Sequence, residues 1–496
     1  MLRKRHILAI VLSLAVALTT VVISFAQSTT KSLSTNFTLV NLGSEAAHGV
    51  INYYKTDGTA WGDGSEEFTI DEPGGQAIFR QYNPPGEPGN PNLTDGAGSV
   101  VVSADQPLGA VAQILARGQD PTSSGAYSGF MAGDSSFYVP LAARNLATAS
   151  GLANSQIIVQ NTGSSAVDVE IELIASDGST TYTKDGINIA AGCSYYYDLE
   201  EENPANVPDG WYGSAVVRAT TTGGQIAVVS NFFTGDAMQT FNAFGASAPG
   251  TTWFVPLFTS RLANGLSTPI AVQNLSGAAI PAGGVVVTCT PDPQCPITDP
   301  FTMTNTTDIG DTAAYYFNPV TDMTIPEGFY GSCVVEASAD VVSFVQMRFI
   351  DTGEAAAYEG IKGGSTDTKV IVPLVAKRLG NGFATAVTIQ NLNTTVTATV
   401  DLTYTPSPEY VAGGGSPDVI QINDVQIGPG ESLIQNHRIT AGPGAVPELP
   451  EGWYGTLVVE SDQPIHAFVQ LTFLRDINPA LPSGDLFMAH IAFTQP

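Results

Sequence analysis

The sequence predicts an all-β protein: four tandem sandwich-sized repeats of about 115 residues behind an N-terminal signal segment. Three observations carry this. A strand-like segment ending in Gln-Asn recurs along the chain. A Pro-acid-Gly-aromatic-Tyr-Gly element follows each of its three strong copies. Inside each copy the apolar residues alternate with polar ones.

The first residues form a targeting signal. Arg3, Lys4 and Arg5 are basic, Ile7 to Phe25 is apolar, and Ser24-Phe25-Ala26 fits a small-x-small cleavage site. Residues 1–26 are expected to be a signal peptide or, if uncleaved, a membrane anchor. The expected repeats then cover 27–134 (divergent), 135–249, 250–367 and 368–496.

The Gln-Asn landmark reads Val159-Gln160-Asn161, Val272-Gln273-Asn274 and Ile389-Gln390-Asn391. A degenerate copy, Leu39-Val40-Asn41, lacks the Gln. The second landmark runs from Pro208 through Gly210-Trp211-Tyr212-Gly213-Ser214. It returns as Gly328-Phe329-Tyr330-Gly331-Ser332 and as Gly452-Trp453-Tyr454-Gly455-Thr456, with Gly98-Ser99 in the first copy. A Val-Pro-Leu opening precedes copies two to four, at Val139, Val255 and Val372. Arg144, Arg261 and Arg378 follow it, and the first copy has no such opening.

Within a copy, Val169, Ile171 and Leu173 alternate with Glu170 and Glu172. Such a strand has one face on a core and one in water. No helix is expected outside the targeting segment. Several short strands per copy match an immunoglobulin-like sandwich, and the Gly-aromatic-Tyr-Gly element reads as its tyrosine corner.

Composition narrows the function. The chain has 18 Lys+Arg against 46 Asp+Glu, a formal net charge of −28, so nucleic acid is not an expected partner. Membrane contact is expected only through an uncleaved N-terminal segment. Charged residues are only 13% of the chain, which separates it from disordered acidic tails. The five His stand apart, and no nucleophile elbow, phosphate loop or metal-ligand spacing occurs. The expectation is therefore no enzyme, no cofactor and no metal. Asp57, Asp63, Asp308 and Asp311 are the weak candidates for Ca²⁺.

Three of the four Cys (Cys289, Cys295 and Cys333) fall in the third copy, and export would permit disulfides. Cys289–Cys295 across a Pro-rich turn is the first choice. Cys289–Cys333 on facing apolar strands is the rival. The repeated aromatic pairs Trp211-Tyr212, Phe329-Tyr330 and Trp453-Tyr454 are candidate sugar platforms, against the alternative that they pack the core. Trp61, in a polar loop, is the ring most expected to be exposed. The three Arg are expected to pair with carboxylates at a unit junction or along their own edge.

On these repeats and corner motifs the chain resembles bacterial secreted and cell-surface proteins built from tandem immunoglobulin-like β-sandwich repeats. The resemblance implies surface display, adhesion or coat building, and it transfers no functional residue. The expected protein is an extracellular structural or adhesive scaffold, a semi-rigid row of modules able to self-assemble. Its partner would be a cell-surface or matrix component, or itself. The alternative is a carbohydrate-binding array directed at polysaccharide.

Overall fold

In a computed structural model the chain is described at residues 19–24, 33–71, 75–79, 81, 93, 96–116 and 119–495. It is all-β, built from antiparallel sheets. Among the described residues the single helix is one turn, Pro408–Ala412, capped by the Ser407 side chain. No helix is expected there from the sequence. A Ser-Pro step at a helix start, with Pro in the first turn, explains the difference.

The sheets fall into four successive stretches of chain, here called units. In the second unit one sheet runs Thr181–Ile189, Val167–Ala175, Trp211–Ala219, Ser136–Arg144. The other runs Leu146–Thr148, Gly151–Asn161, Ile226–Thr234, Ala237–Asn242. The fourth unit repeats this order, with Lys369–Ala376 beside Tyr454–Ser461 and Phe383–Asn391 beside Ile465–Phe473. In the third unit one 21-residue strand, Phe329–Phe349, serves both sheets and joins them into one.

The first unit lacks a Val-Pro-Leu strand, and its place is taken. Thr19–Ser24 pairs antiparallel with Gly98–Ala104, as Ser136–Arg144 pairs with Trp211–Ala219. Val21 is fully buried in that core. The flanking parts of the expected targeting segment, 1–18 and 25–26, lie outside the described residues. Among the described residues no helix is long and apolar enough to cross a membrane.

Two burial patterns distinguish the strands. Residues 167–173 and Ala398–Pro406 alternate buried positions with half-buried or exposed ones, as their sequence predicts. Phe383–Asn391 is buried at every position and Ile226–Thr234 nearly so. Strands buried on both faces need a second cover. Here the neighbouring unit supplies it.

That cover closes a circle. Ser124–Ser128 packs on Ala237–Asn242, that strand on Ala355–Glu359, that on Phe487–Ile491, and the last returns to Ser124–Ser128. The cores interlock accordingly. Met238 of the second unit joins the first unit's core, and Ala126 of the first joins the fourth's. Phe241 and Phe344 meet across one joint at 4.2 Å, and Tyr358 stacks on Phe468 across the next at 4.3 Å. The expected row of beads is therefore corrected to a closed ring. The tail strand Phe487–Ile491 pairs with Ile465–Phe473 of its own unit.

Candidate functional site

The repeated sequence motifs are the parts of the joints between units. The Asn of each Gln-Asn pair is a buried turn clamp. Asn161 donates to the Ser165 and Ile189 carbonyls at 2.8 and 2.9 Å and accepts from Gly163 N–H. Asn274, Asn391 and Asn41 make the same kind of bonds. The Gln beside it lies in the joint. Gln390 Nε2 donates to the Gly430 carbonyl at 2.9 Å, and Ser332 Oγ of the third unit donates to that same oxygen at 2.9 Å.

The arrangement recurs twice more. Gln273 and Ser214 share the Thr312 carbonyl at 2.9 and 2.6 Å. Gln160 and Ser99 share that of Gly192 at 3.4 and 2.5 Å. The shared carbonyl belongs each time to a left-handed residue: Gly192 (φ 74°), Thr312 (φ 62°) and Gly430 (φ 70°).

The aromatic motif is equally structural. Gly210, Gly328 and Gly452 turn the chain at φ near 80°. A Cβ on Gly213 would lie 1.9 Å from the Ile174 carbonyl, so only Gly lets the two strands approach there. The Trp211, Phe329 and Trp453 rings point inward, at 6%, 0% and 1% exposure. Trp61, expected to be exposed, is buried at 5%, with Gly98 packed against its ring. Tyr330 and Tyr454 are half-buried. Tyr212 is 41% exposed and leans on Tyr316 of the next unit, rather than folding back as a tyrosine corner.

The three Arg do not hold one repeat position, because Arg144 aligns with Ser260 and Lys377. Arg144 pairs with Asp209 and donates to the Glu202 carbonyl. Lys377 Nζ donates to the Val446 and Leu449 carbonyls. In the third unit Arg261, one residue further on, reaches the Pro319, Asp322 and Ile325 carbonyls. Arg378 pairs with Asp476 at 3.1 Å and more loosely with Glu451. Arg144 and Arg378 thus pair with carboxylates of their own units as well as capping carbonyls, while Arg261 caps carbonyls of the loop before the aromatic motif.

The disulfide joins Cys289 and Cys333, direct cross-strand neighbours, so the first-choice pairing gives way to its rival. Cys295 is free and buried. The candidate Ca²⁺ carboxylates cap turns: Asp57 accepts from Thr59, Asp308 from Ala282 and Asp311 from Gly277. The Asp63 side chain is outside the description. Among the described residues no group of three His, Cys, Asp or Glu is placed to hold a metal.

At one end of the ring axis a single acidic residue touches all four units. Asp485 is 1% exposed. It accepts the Met238, Ala355 and Phe487 N–H groups at 2.9, 3.3 and 3.1 Å, and its own N–H donates to the Thr122 carbonyl. Burial pushes its pKa well above the usual carboxylate range. At the other end Glu359 accepts the Asn242 N–H, Asn242 Nδ2 donates to Ser128, and Ser128 Oγ donates to the Ile491 carbonyl. Burial raises Glu359 to about 7. Between units three and four a cleft of about 470 Å³ opens, lined in part by Arg378, Arg438 and Arg475. Of these, only Arg378 belongs to a repeated sequence motif.

No protein-family model matches the chain, and no curated protein matches it. Among solved structures, Thermotoga maritima 1070 is similar at 13% identity over 23% of this chain and 95% of its own, with a TM-score of 0.19. The C-terminal domain of the Streptococcus pyogenes antigen I/II-family protein AspA is similar at 11% identity, over 63% of this chain and 98% of its own, with a TM-score of 0.11. Escherichia coli alpha-2-macroglobulin is similar at 8%, over 95% of this chain and 44% of its own, at 0.10. Likenesses this slight carry no argument.

Proposed function

We propose that the chain is an extracellular, non-catalytic scaffold: four tandem immunoglobulin-like β-sandwiches closed into a ring that displays its loops to a cell-surface or matrix component. The observation that carries this reading is the use of the repeated residues. Ser99, Ser214 and Ser332 with Gln160, Gln273 and Gln390 serve the joints, so the side chains shared by the copies build rigidity. The Cys289–Cys333 disulfide suits an oxidising compartment, and the acidic surface suits a solvated, soluble particle.

Self-assembly through the tail strand has no support, because that strand is used within its own unit. The carbohydrate reading keeps Tyr212 alone as a well-exposed ring of the repeated pairs. The test is a binding screen of the purified protein against cell-wall, matrix and glycan surfaces, with a parallel assay for hydrolysis of the same materials. Adhesion without turnover supports the scaffold; turnover of any of them overturns it.

A further inference from the structure

The cleft between the third and fourth units gathers three arginines in a chain with only 18 basic residues and a net charge of −28. Two of the three are committed. Arg475 binds Glu354 at 3.1 Å and the Pro482 and Gly484 carbonyls. Arg378 binds Asp476 at 3.1 Å and the Arg438 carbonyl at 2.8 Å.

Arg438 differs. Its Nε donates to Asn436 Oδ1 at 2.9 Å, but its terminal nitrogens meet no carboxylate among the described residues. Burial pulls its pKa down to about 10, with no anion acting against that. Arg348, which lines a smaller cavity across the Phe349–Ala355 turn, is likewise desolvated without a carboxylate. Desolvating a guanidinium without a counter-charge costs stability. Acidic residues are plentiful in this chain, so pairing would have been easy to supply. The cleft walls add apolar ring surface from Phe349 and Phe473 beside the polar Thr472. Its volume falls in the range of small-ligand sites.

We propose that this cleft binds an organic carboxylate with a ring-shaped or apolar body, its carboxylate taken by the open fork of Arg438 and its body lying on Phe349 and Phe473. A planar carboxylate matches two parallel guanidinium N–H groups, which a point charge does not require. The inference goes beyond the scaffold reading and does not depend on it.

The test is calorimetric and NMR titration of the full chain with phenylacetate, glucuronate and inorganic phosphate at low salt. At least one of the carboxylates is expected to bind, and more tightly than phosphate. Arg438→Gln is expected to weaken that binding roughly tenfold or more, and Arg438→Lys to remove the preference over phosphate. Ile439→Glu, which adds a negative charge at the cleft wall, gives an independent variant should Arg438→Gln fail to fold. The proposal is overturned if neither carboxylate binds, if phosphate binds as tightly as both, or if folded Arg438→Gln or Ile439→Glu binds like the parent.

Discussion

Three joints of the ring share a hydrogen-bonded contact whose place in the fourth is taken by an apolar one. Between units one and two, two and three, and three and four, a Ser and a Gln share one carbonyl of a left-handed turn. Between units four and one, Val40 stands in the place of that Gln. It packs with Leu42, Val111, Ile371 and Phe493. Gly109 leaves room for the Phe493 ring, since a Cβ there would lie 2.8 Å from it. Hydrogen bonds with one required partner fix register between neighbours in the chain, which are already held close. The closing joint brings together the two ends of the chain; at this position it relies on area-proportional burial, and its hydrogen bonds lie elsewhere, as from Ser128 Oγ to the Ile491 carbonyl.

The largest way to break this contrast is at the first unit. Deleting residues 1–26 removes Thr19–Ser24 and uncovers the edge of Gly98–Ala104. Amide exchange in that strand is expected to rise by orders of magnitude while the strands of the third unit keep their protection. Next comes Phe493→Ala, which leaves a hole in the closing cluster. It is expected to cost about 3–5 kcal/mol, read by chemical denaturation, with increased protease access near Phe487.

The axis carboxylates give a pH signature that neither type of joint shares. Glu359 has a folded pKa of about 7 against an ordinary 4.5, so the native state holds a proton that the unfolded state releases. Its favourable contribution is present below pH 4.5 and is lost as pH rises through 7. His490 works in the opposite direction. Burial lowers it to about 4, so its contribution is lost as pH falls through 6.5 towards 4. Glu359→Gln is expected to remove up to about 3 kcal/mol of the decline between pH 4.5 and 7. Thermal melts of the two proteins across that range check it.

At the polar joints the effects are smaller. Gln390→Ala and Ser332→Ala each lose a bond to the Gly430 oxygen, at about 1 kcal/mol apiece. The double variant is expected to cost more than the sum of the two, because only it leaves the shared Gly430 carbonyl without either donor. Smallest is a gain: Thr312→Gly relieves a β-branched residue held at φ 62°, by about 1 kcal/mol. An unchanged melting point for Thr312→Gly would separate that turn from its two Gly counterparts.

Strand alternation in Val167–Ala175 and the recurrence of Gln-Asn were legible in the sequence because each residue there acts locally, on one face or one turn. The buried rings of the corner motif were legible as one of two readings. The joints were not legible, since the Gln and Ser that meet lie in different units about 60 residues apart or more, and no local pattern encodes that. One signal was available. The near-continuous apolar run from Ile226 to Phe233 exceeds what a one-faced strand needs, and it foretells a second cover. Trp61 was misplaced because its polar neighbours suggested a loop, whereas it lies in the Ala60–Ile70 strand with its ring turned inward. The Arg438 cleft could not be read, as its walls come from separate units.

The closed ring is the central claim, and small-angle scattering of the monomeric protein tests it most directly. A single compact body of this length has a radius of gyration of about 23 Å, and the ring predicts a value close to that with no extended tail in the distance distribution. A row of four separate units would give roughly twice that radius and contradict the account.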